Sequence, residues 1–241
     1  MNEIIQALHN RKSVRVFTEE AISAKDRESI LTAALQAPSA GCQLLYTILD
    51  ITEQEKKDRL AQLCDQQAFA AKAKLVLVFC ADCRKWLTFY QEAGITPRKP
   101  GPGDLLLAVE DALIAAQNAV TAAESLGIGS CYIGDVMENA EEMKALLGLP
   151  QCVYPACMLV FGHPTKQQAE RKKPERFRVS DLVCENTYQD KDSRAIREMF
   201  SGHTGSQSYD EWMRAFCERK YESGFSREMN RSMEVYLQDF R

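Results

Sequence analysis

The sequence predicts a mixed α/β fold, and three patterns carry that prediction. Apolar residues recur at helical spacing in several segments, strand-length apolar runs stand between them, and a long alanine-rich apolar helix lies near the middle of the chain. Ile4, Ile5 and Leu8 mark an opening helix. From Ser13 onward Val14 and Val16 alternate with Ser13, Arg15 and Phe17, a strand-like pattern that turns Ser13 and Arg15 the same way. Ser23 starts a second helix, with Asp26 in a variant of the capping box and Ile30, Leu31, Ala34 and Leu35 along one face, and Pro38 stops it. After the loop Pro38 to Gln43, the run Leu44 to Leu49 reads as a strand and Glu53 to Leu63 as a charged helix with Leu60 and Leu63 inward.

The run Leu75 to Cys80 is continuously apolar, so it predicts a strand covered on both faces. Ala93 to Asp104, with its glycines and prolines, predicts a loop long enough to serve as a cover. A helix from about Leu105 to a stop near Gly127 is apolar on most sides, and must be buried centrally or against a second copy of the chain. Its acidic and amide interruptions, Glu110, Asp111, Gln117, Asn118 and Glu124, argue against a membrane span. Gly127 to Asp135 combines a tight turn with a short strand, Asn139 is placed to cap a helix through Leu147, and Tyr154 to Phe161 forms the last strong strand. Beyond Cys184 the chain turns polar, with helical pieces around 209–219 and 229–240 and too few apolar residues for a core of its own. Residues 1–184 therefore read as one domain and 185–241 as an extension wrapping that domain or a partner subunit.

Thirty basic residues stand against 34 acidic ones, a net charge of −4, which argues against a nucleic-acid surface. Nine cysteines without a regular framework, and a start lacking a basic and apolar leader, predict free thiols in a reducing, cytoplasmic compartment. Cys80 and Cys83 have redox or zinc spacing, but no second pair follows and the three histidines are scattered; no metal site is expected. There is no nucleophile elbow, no P-loop and no dinucleotide fingerprint. Arg11-Lys12-Ser13-Val14-Arg15 is the segment whose chemistry asks for a phosphate, since a guanidinium bonds phosphate oxygens through two N–H groups and a hydroxyl adds a third donor. Taken alone it also reads as a solvated basic turn, as does Lys172 to Arg176.

In order, the chain carries Arg11-Lys12-Ser13-Val14-Arg15, Ala37-Pro38-Ser39-Ala40, Gln67 before a strand, Tyr132-Ile133-Gly134, Gly162-His163-Pro164, Lys173-Pro174-Glu175-Arg176 and Glu185-Asn186-Thr187-Tyr188. This order resembles the FMN-dependent nitroreductase superfamily, over roughly residues 1 to 190, and within it the NADPH-dependent nitroreductase and flavin reductase subgroup with a long C-terminal arm. The resemblance implies an α+β fold with a central antiparallel sheet flanked by helices. It also implies an intertwined homodimer with FMN at the subunit interface, so that the second apolar face of the Leu105 helix would bury against the partner's copy. Carried over position by position, Arg11, Lys12, Ser13 and Arg15 would hold the FMN phosphate and ribityl chain, joined by Lys173 and Arg176. Ser39, Ala40 and Gly41 would line the cofactor loop, Gln67 would reach the cofactor from the partner chain, and Tyr132, Ile133 and Gly134 would lie along the isoalloxazine. The hydroxyl-rich loop common in the subgroup is replaced here by Ala40, Gly41 and Cys42, and Cys42 is placed either beside the flavin or as a buried small residue. Beyond Tyr188 the arm diverges, leaving Arg227 and Arg231 as candidates for a nicotinamide-nucleotide contact.

The expected activity is ping-pong reduction of nitroaromatics, quinones or free flavin by NADPH or NADH, with no catalytic side chain because the cofactor carries the chemistry. The alternatives are a non-catalytic flavin-binding or redox-sensing protein using Cys42 or the Cys80 pair, and a plain interaction domain. No membrane partner is expected.

Overall fold

Helices α1 (Glu3–Asn10) and α2 (Ala24–Leu35) precede strand β1 (Tyr46–Asp50). Then come α3 (Gln54–Leu63), α4 (Ala68–Ala71), β2 (Leu75–Asp82), α5 (Arg84–Glu92), the long α6 (Pro102–Ser125), β3 (Gly129–Ile133), α7 (Ala140–Leu147), β4 (Val153–Gly162) and α8 (Lys166–Glu170). Helices α9 (Val179–Leu182), α10 (Ser193–Phe200), α11 (Tyr209–Lys220) and α12 (Gly224–Leu237) follow. The computed structural model describes all 241 residues. They fall into two compact units, Met1–Arg171 with Glu228–Arg241, and Lys172–Arg227.

The first unit is built on one four-stranded sheet in the order β1-β2-β4-β3, with every neighbouring pair antiparallel. The alternation of helices and strands therefore resolves into an α+β fold. Strands β2 and β4 are central and wholly buried, which is why their sequences are continuously apolar rather than alternating. Leu75, Leu77 and Phe79 point to one face, where α2 and α6 pack; Val76, Val78 and Cys80 point to the other, with Leu60, Ala61 and Met143 of α3 and α7. Pro155 lacks the N–H that a central ladder needs, and the register slips there, between Phe79 and Cys80, with Ala156 left unpaired.

Helix α6 begins at Pro102, earlier than Leu105, because Gly101 and the Asp104 carboxylate form its cap: Gly101 N donates to Asp104 Oδ2 at 2.8 Å. By length and composition it is apolar enough to cross a membrane, but Leu105, Ala108, Ala112, Ala115, Ala119 and Ala123 are buried in the core of this unit. The loop before α6 is tied down: Arg98 grips Asp104 with two hydrogen bonds of 2.6 and 2.9 Å, and Lys99 Nζ donates to Arg241 O at 2.6 Å. Residues 13–17 do not form a strand. They make one parallel bridge, Ser13 to Ser130, and one antiparallel bridge, Phe17 to Pro164, as they pass from β3 to the turn after β4.

The last helix belongs to the first unit from Glu228 onward, so the break in the chain lies at Arg171 and the final residues return, in place of the single boundary at residue 184 expected from composition. Tyr236 and Phe240 are the reason: both are buried in the main core. The second unit, Lys172–Arg227, gathers its rings into a half-buried aromatic cluster and has no buried apolar residue of its own. Phe200 meets Phe177, His203, Tyr209 and Trp212 at ring separations of 5.2 to 6.1 Å, and Trp212 stacks on Phe216 at 4.8 Å.

Candidate functional site

The edge of the sheet beside β3 is where the basic segment lies. Val14 N donates to Ser130 O at 2.9 Å and Thr18 N to His163 O at 2.8 Å, so residues 13–18 are stitched to the main chain at both ends. Two glycines permit this approach. A Cβ on Gly129 would meet Val14 Cγ2 at 2.6 Å, and one on Gly162 would meet Phe17 Cγ at 2.7 Å, both closer than side chains tolerate. Helix α8 braces the same segment: Arg171 Nη2 donates to Ser13 O at 2.6 Å and Arg15 N to Gln168 Oε1 at 3.3 Å.

With Val14 turned into the protein, Arg11, Ser13 and Arg15 alternate to the other side of the segment, which runs along β3 from the Ser13–Ser130 bridge. The Arg11 guanidinium stands 5.9 Å from the centre of the Tyr132 ring. Its Nε and Nη2 atoms are shut off from solvent and have no hydrogen-bond partner. Burial pushes the Cys131 thiol up, while Arg15, a hydrogen bond from Ser13 and Arg11 pull it down. Burial likewise raises the Tyr132 phenol, whose hydroxyl lies 3.4 Å from Gln117 Oε1 on α6. Buried guanidinium donors without acceptors are costly, and a phosphate supplies the matching oxygens. The residues present thus fit the phosphate of an FMN.

Lys12 is differently occupied. Alternation along the segment turns it away from Arg11 and Ser13, and its ammonium donates to Ala169 O and Arg171 O, both at 2.6 Å, closing the end of α8. Ile133 is buried in the core on the far face of the sheet, so only its backbone remains for a ligand, next to half-buried Gly134. Gln67 caps α4, its N–H on Ala61 O at 2.9 Å, in the layer that holds α3 and not on the face where Arg11's partner Tyr132 packs. Lys173 and Arg176 lie in the second unit. Arg231 is committed to carboxylates, gripping Glu141 through two bonds of 2.8 Å and Glu228 through others, and Arg227 pairs with Glu222 at 3.1 Å.

The loop bearing Ser39, Ala40 and Gly41 is held by a residue that the sequence did not single out for that role. Asp111, buried inside α6, accepts from Ala40 N at 2.9 Å and Leu45 N at 3.0 Å. Ser39 Oγ accepts from Leu44 N at 3.0 Å, Trp86 Nε1 donates to Gln43 O at 2.8 Å, and Lys85 Nζ donates to Leu44 O and Tyr46 O. These bonds fix Cys42 and Leu44 in the left-handed region, at φ 56° and 49°, which side chains other than glycine adopt only under constraint. Cys42 is exposed on this loop rather than buried. A rigid loop with a strained backbone is the kind of element that positions a ligand.

Fold and edge together define the class first: an α+β protein with an antiparallel sheet whose rim carries unanswered cationic donors. A sequence profile of the Nitroreductase family matches residues 8–163. An FMN reductase [NAD(P)H] of Bacillus subtilis is 30% identical over 240 residues, 99% of this chain and 92% of that protein. An oxygen-insensitive NADPH nitroreductase of Salmonella typhimurium is 35% identical over 196 residues, covering 81% of this chain and 79% of that protein. The solved NADPH:FMN oxidoreductase of Vibrio harveyi, complexed with NAD+, superposes with a TM-score of 0.77 at 29% identity, covering 98% of this chain and 97% of that one. The chain belongs to the nitroreductase family.

Proposed function

We propose that this chain is an FMN-dependent NAD(P)H oxidoreductase that reduces small-molecule acceptors, among them free flavins, nitroaromatic compounds and quinones. The observation that carries the reading is the Arg11 guanidinium, shut off from water at the sheet edge with two donors unanswered beside Ser13, Arg15 and Tyr132. Its fit to a phosphate is matched by relatives named for flavin and nitro-compound reduction. When bound, FMN supplies reversible hydride chemistry that no side chain of the protein can.

The chain's own residues bind and orient. Arg11, Ser13 and Arg15 hold the phosphate, and Lys12 fixes the end of α8 behind them. The braced loop at Ser39, Ala40 and Gly41 and the backbone of Ile133 and Gly134 set the plane of the ring. Gln67 is contributed across a homodimer. Helix α6 exposes Leu106, Leu107, Leu113 and Ile114, and α1 exposes Ile4, Ile5 and Leu8, an apolar set too large for a solvated surface and suited to a second copy. The protein works in the cytoplasm. A redox sensor built on Cys80 and Cys83 is disfavoured, since burial pushes both thiols up to about 12 and leaves little thiolate.

The test is a turnover assay on the FMN-loaded protein. NADPH or NADH is expected to be consumed only when a nitrofuran, a quinone or free FMN is present, with parallel lines in double-reciprocal plots. Flavin-loaded protein that oxidises neither nucleotide with any of these acceptors would favour flavin binding without catalysis.

A further inference from the structure

At the far end of the segment that begins with Arg11, a second cationic site appears, on the layer of α3 and α4. A cleft of about 430 Å³ is lined by Lys57, Lys72, Lys74 and Glu19. Glu19 is its one acidic lining residue, and it is taken by Lys74 at 2.7 Å. Lys57 is half-buried and reaches only a marginal 3.5 Å contact with Ala73 O; burial, with Lys74 beside it, holds its ammonium below the usual lysine range. Lys72 also acts on Glu19, so the three ammoniums share one small region. In a chain of net charge −4, three lysines facing one carboxylate leave a local positive excess that an anion would relieve.

This cleft adjoins another of about 540 Å³, and Gln54, Ala71 and Lys72 line both. The second cleft is lined by Gln62, Gln66 and Asp58, side chains with the mixed donors and acceptors that bind hydroxyls and base edges. Gln54 Nε2 donates to Asp58 Oδ1 at 2.8 Å and to Ala71 O at 3.1 Å, fixing the wall between them. Both volumes lie in the range of small-molecule sites. We infer that the paired clefts form a nucleotide site separate from the Arg11 edge, with a phosphate among Lys57, Lys72 and Lys74 and a nucleoside along the glutamines. This does not depend on the proposed redox activity.

Calorimetric titration of the FMN-saturated protein with adenosine 5′-phosphate, adenosine 2′-phosphate, inorganic phosphate and adenosine tests it. One of the adenosine phosphates is expected to bind at least ~10-fold more tightly than both inorganic phosphate and adenosine, and Lys72→Gln to weaken it ~10-fold or more, the scale of one charge-assisted hydrogen bond. Lys72 is exposed, so this variant keeps the fold; Lys57→Gln should act in the same direction, and Lys25→Gln on α2 should change nothing. Inorganic phosphate binding as tightly as either nucleotide would overturn the nucleoside half, and no saturable binding, or binding unchanged in Lys72→Gln and Lys57→Gln, would overturn the site. A protein that failed to retain FMN yet bound an adenosine phosphate through Lys72 would sink the redox reading and leave this one standing.

Discussion

Arg11 shows how much a single residue can say. Its sequence context marks a phosphate-seeking string, and the fold adds what sequence cannot: two guanidinium donors removed from water with nothing to bond. Arg11→Ala is therefore expected to weaken FMN binding ~10-fold or more, the scale of a charge-assisted hydrogen bond, while leaving the fold intact. Fluorescence titration of the apoprotein with FMN checks it, and unchanged affinity would remove Arg11 from the site. Asp111 is the contrary case. A lone acid in an apolar helix reads as an interruption, and only the folded chain reveals that it answers the amides of Ala40 and Leu45. Gly129 and Gly162 were equally silent, since the side chains they make room for, Val14 and Phe17, are remote in sequence.

Among the elements, the four strands were legible because buried apolar runs announce themselves, and the short helices α4, α8, α9 and α10 were not, since a turn or two of chain shows no period. The start of α7 was misread. Asn139 sits in the left-handed region and gives its side-chain amide to Leu63 O; the cap comes from α12, where Glu228 Oε1 accepts from Asn139 N at 3.1 Å and Ser232 Oγ from Ala140 N at 3.0 Å. These partners are 89 and 92 residues away, beyond any local rule. Ser232→Ala should cost about 1–2 kcal/mol in a denaturant titration, as for other lost caps; an unchanged midpoint would show that α12 does not support α7.

Close by, Glu138 is buried with Oε1 unpaired, and burial together with Asp135, Asp65 and Glu228 pushes its carboxyl up to about 7 from an ordinary 4.5. The folded state then holds a proton that the unfolded state releases, so this group's contribution to stability falls as pH rises from about 4.5 to about 7. Glu138→Gln should flatten that part of the stability profile and stabilise the protein at neutral pH. A profile identical to the parent's would place the Glu138 proton elsewhere.

At the scale of the molecule, the sequence showed that α6 is apolar on more than one side, and the structure shows which residues remain uncovered within one chain. Replacing Leu106 and Ile114 by lysine, at positions 64% and 42% exposed, should leave the monomer folded and shift light scattering from dimer mass to monomer mass. A dimer that persists would assign its interface to another face. The second unit was the least legible part, because its contacts are those of a few rings dispersed among charges, from Phe177 to Phe216.

The measurement that bears most directly on the account is the visible spectrum of the purified protein, before and after addition of FMN and then of NADPH under exclusion of oxygen. A stoichiometric flavin band is expected, one FMN per chain, that bleaches on adding the nucleotide and returns with a nitroaromatic acceptor. A colourless protein that gains no flavin band when FMN is supplied would contradict it.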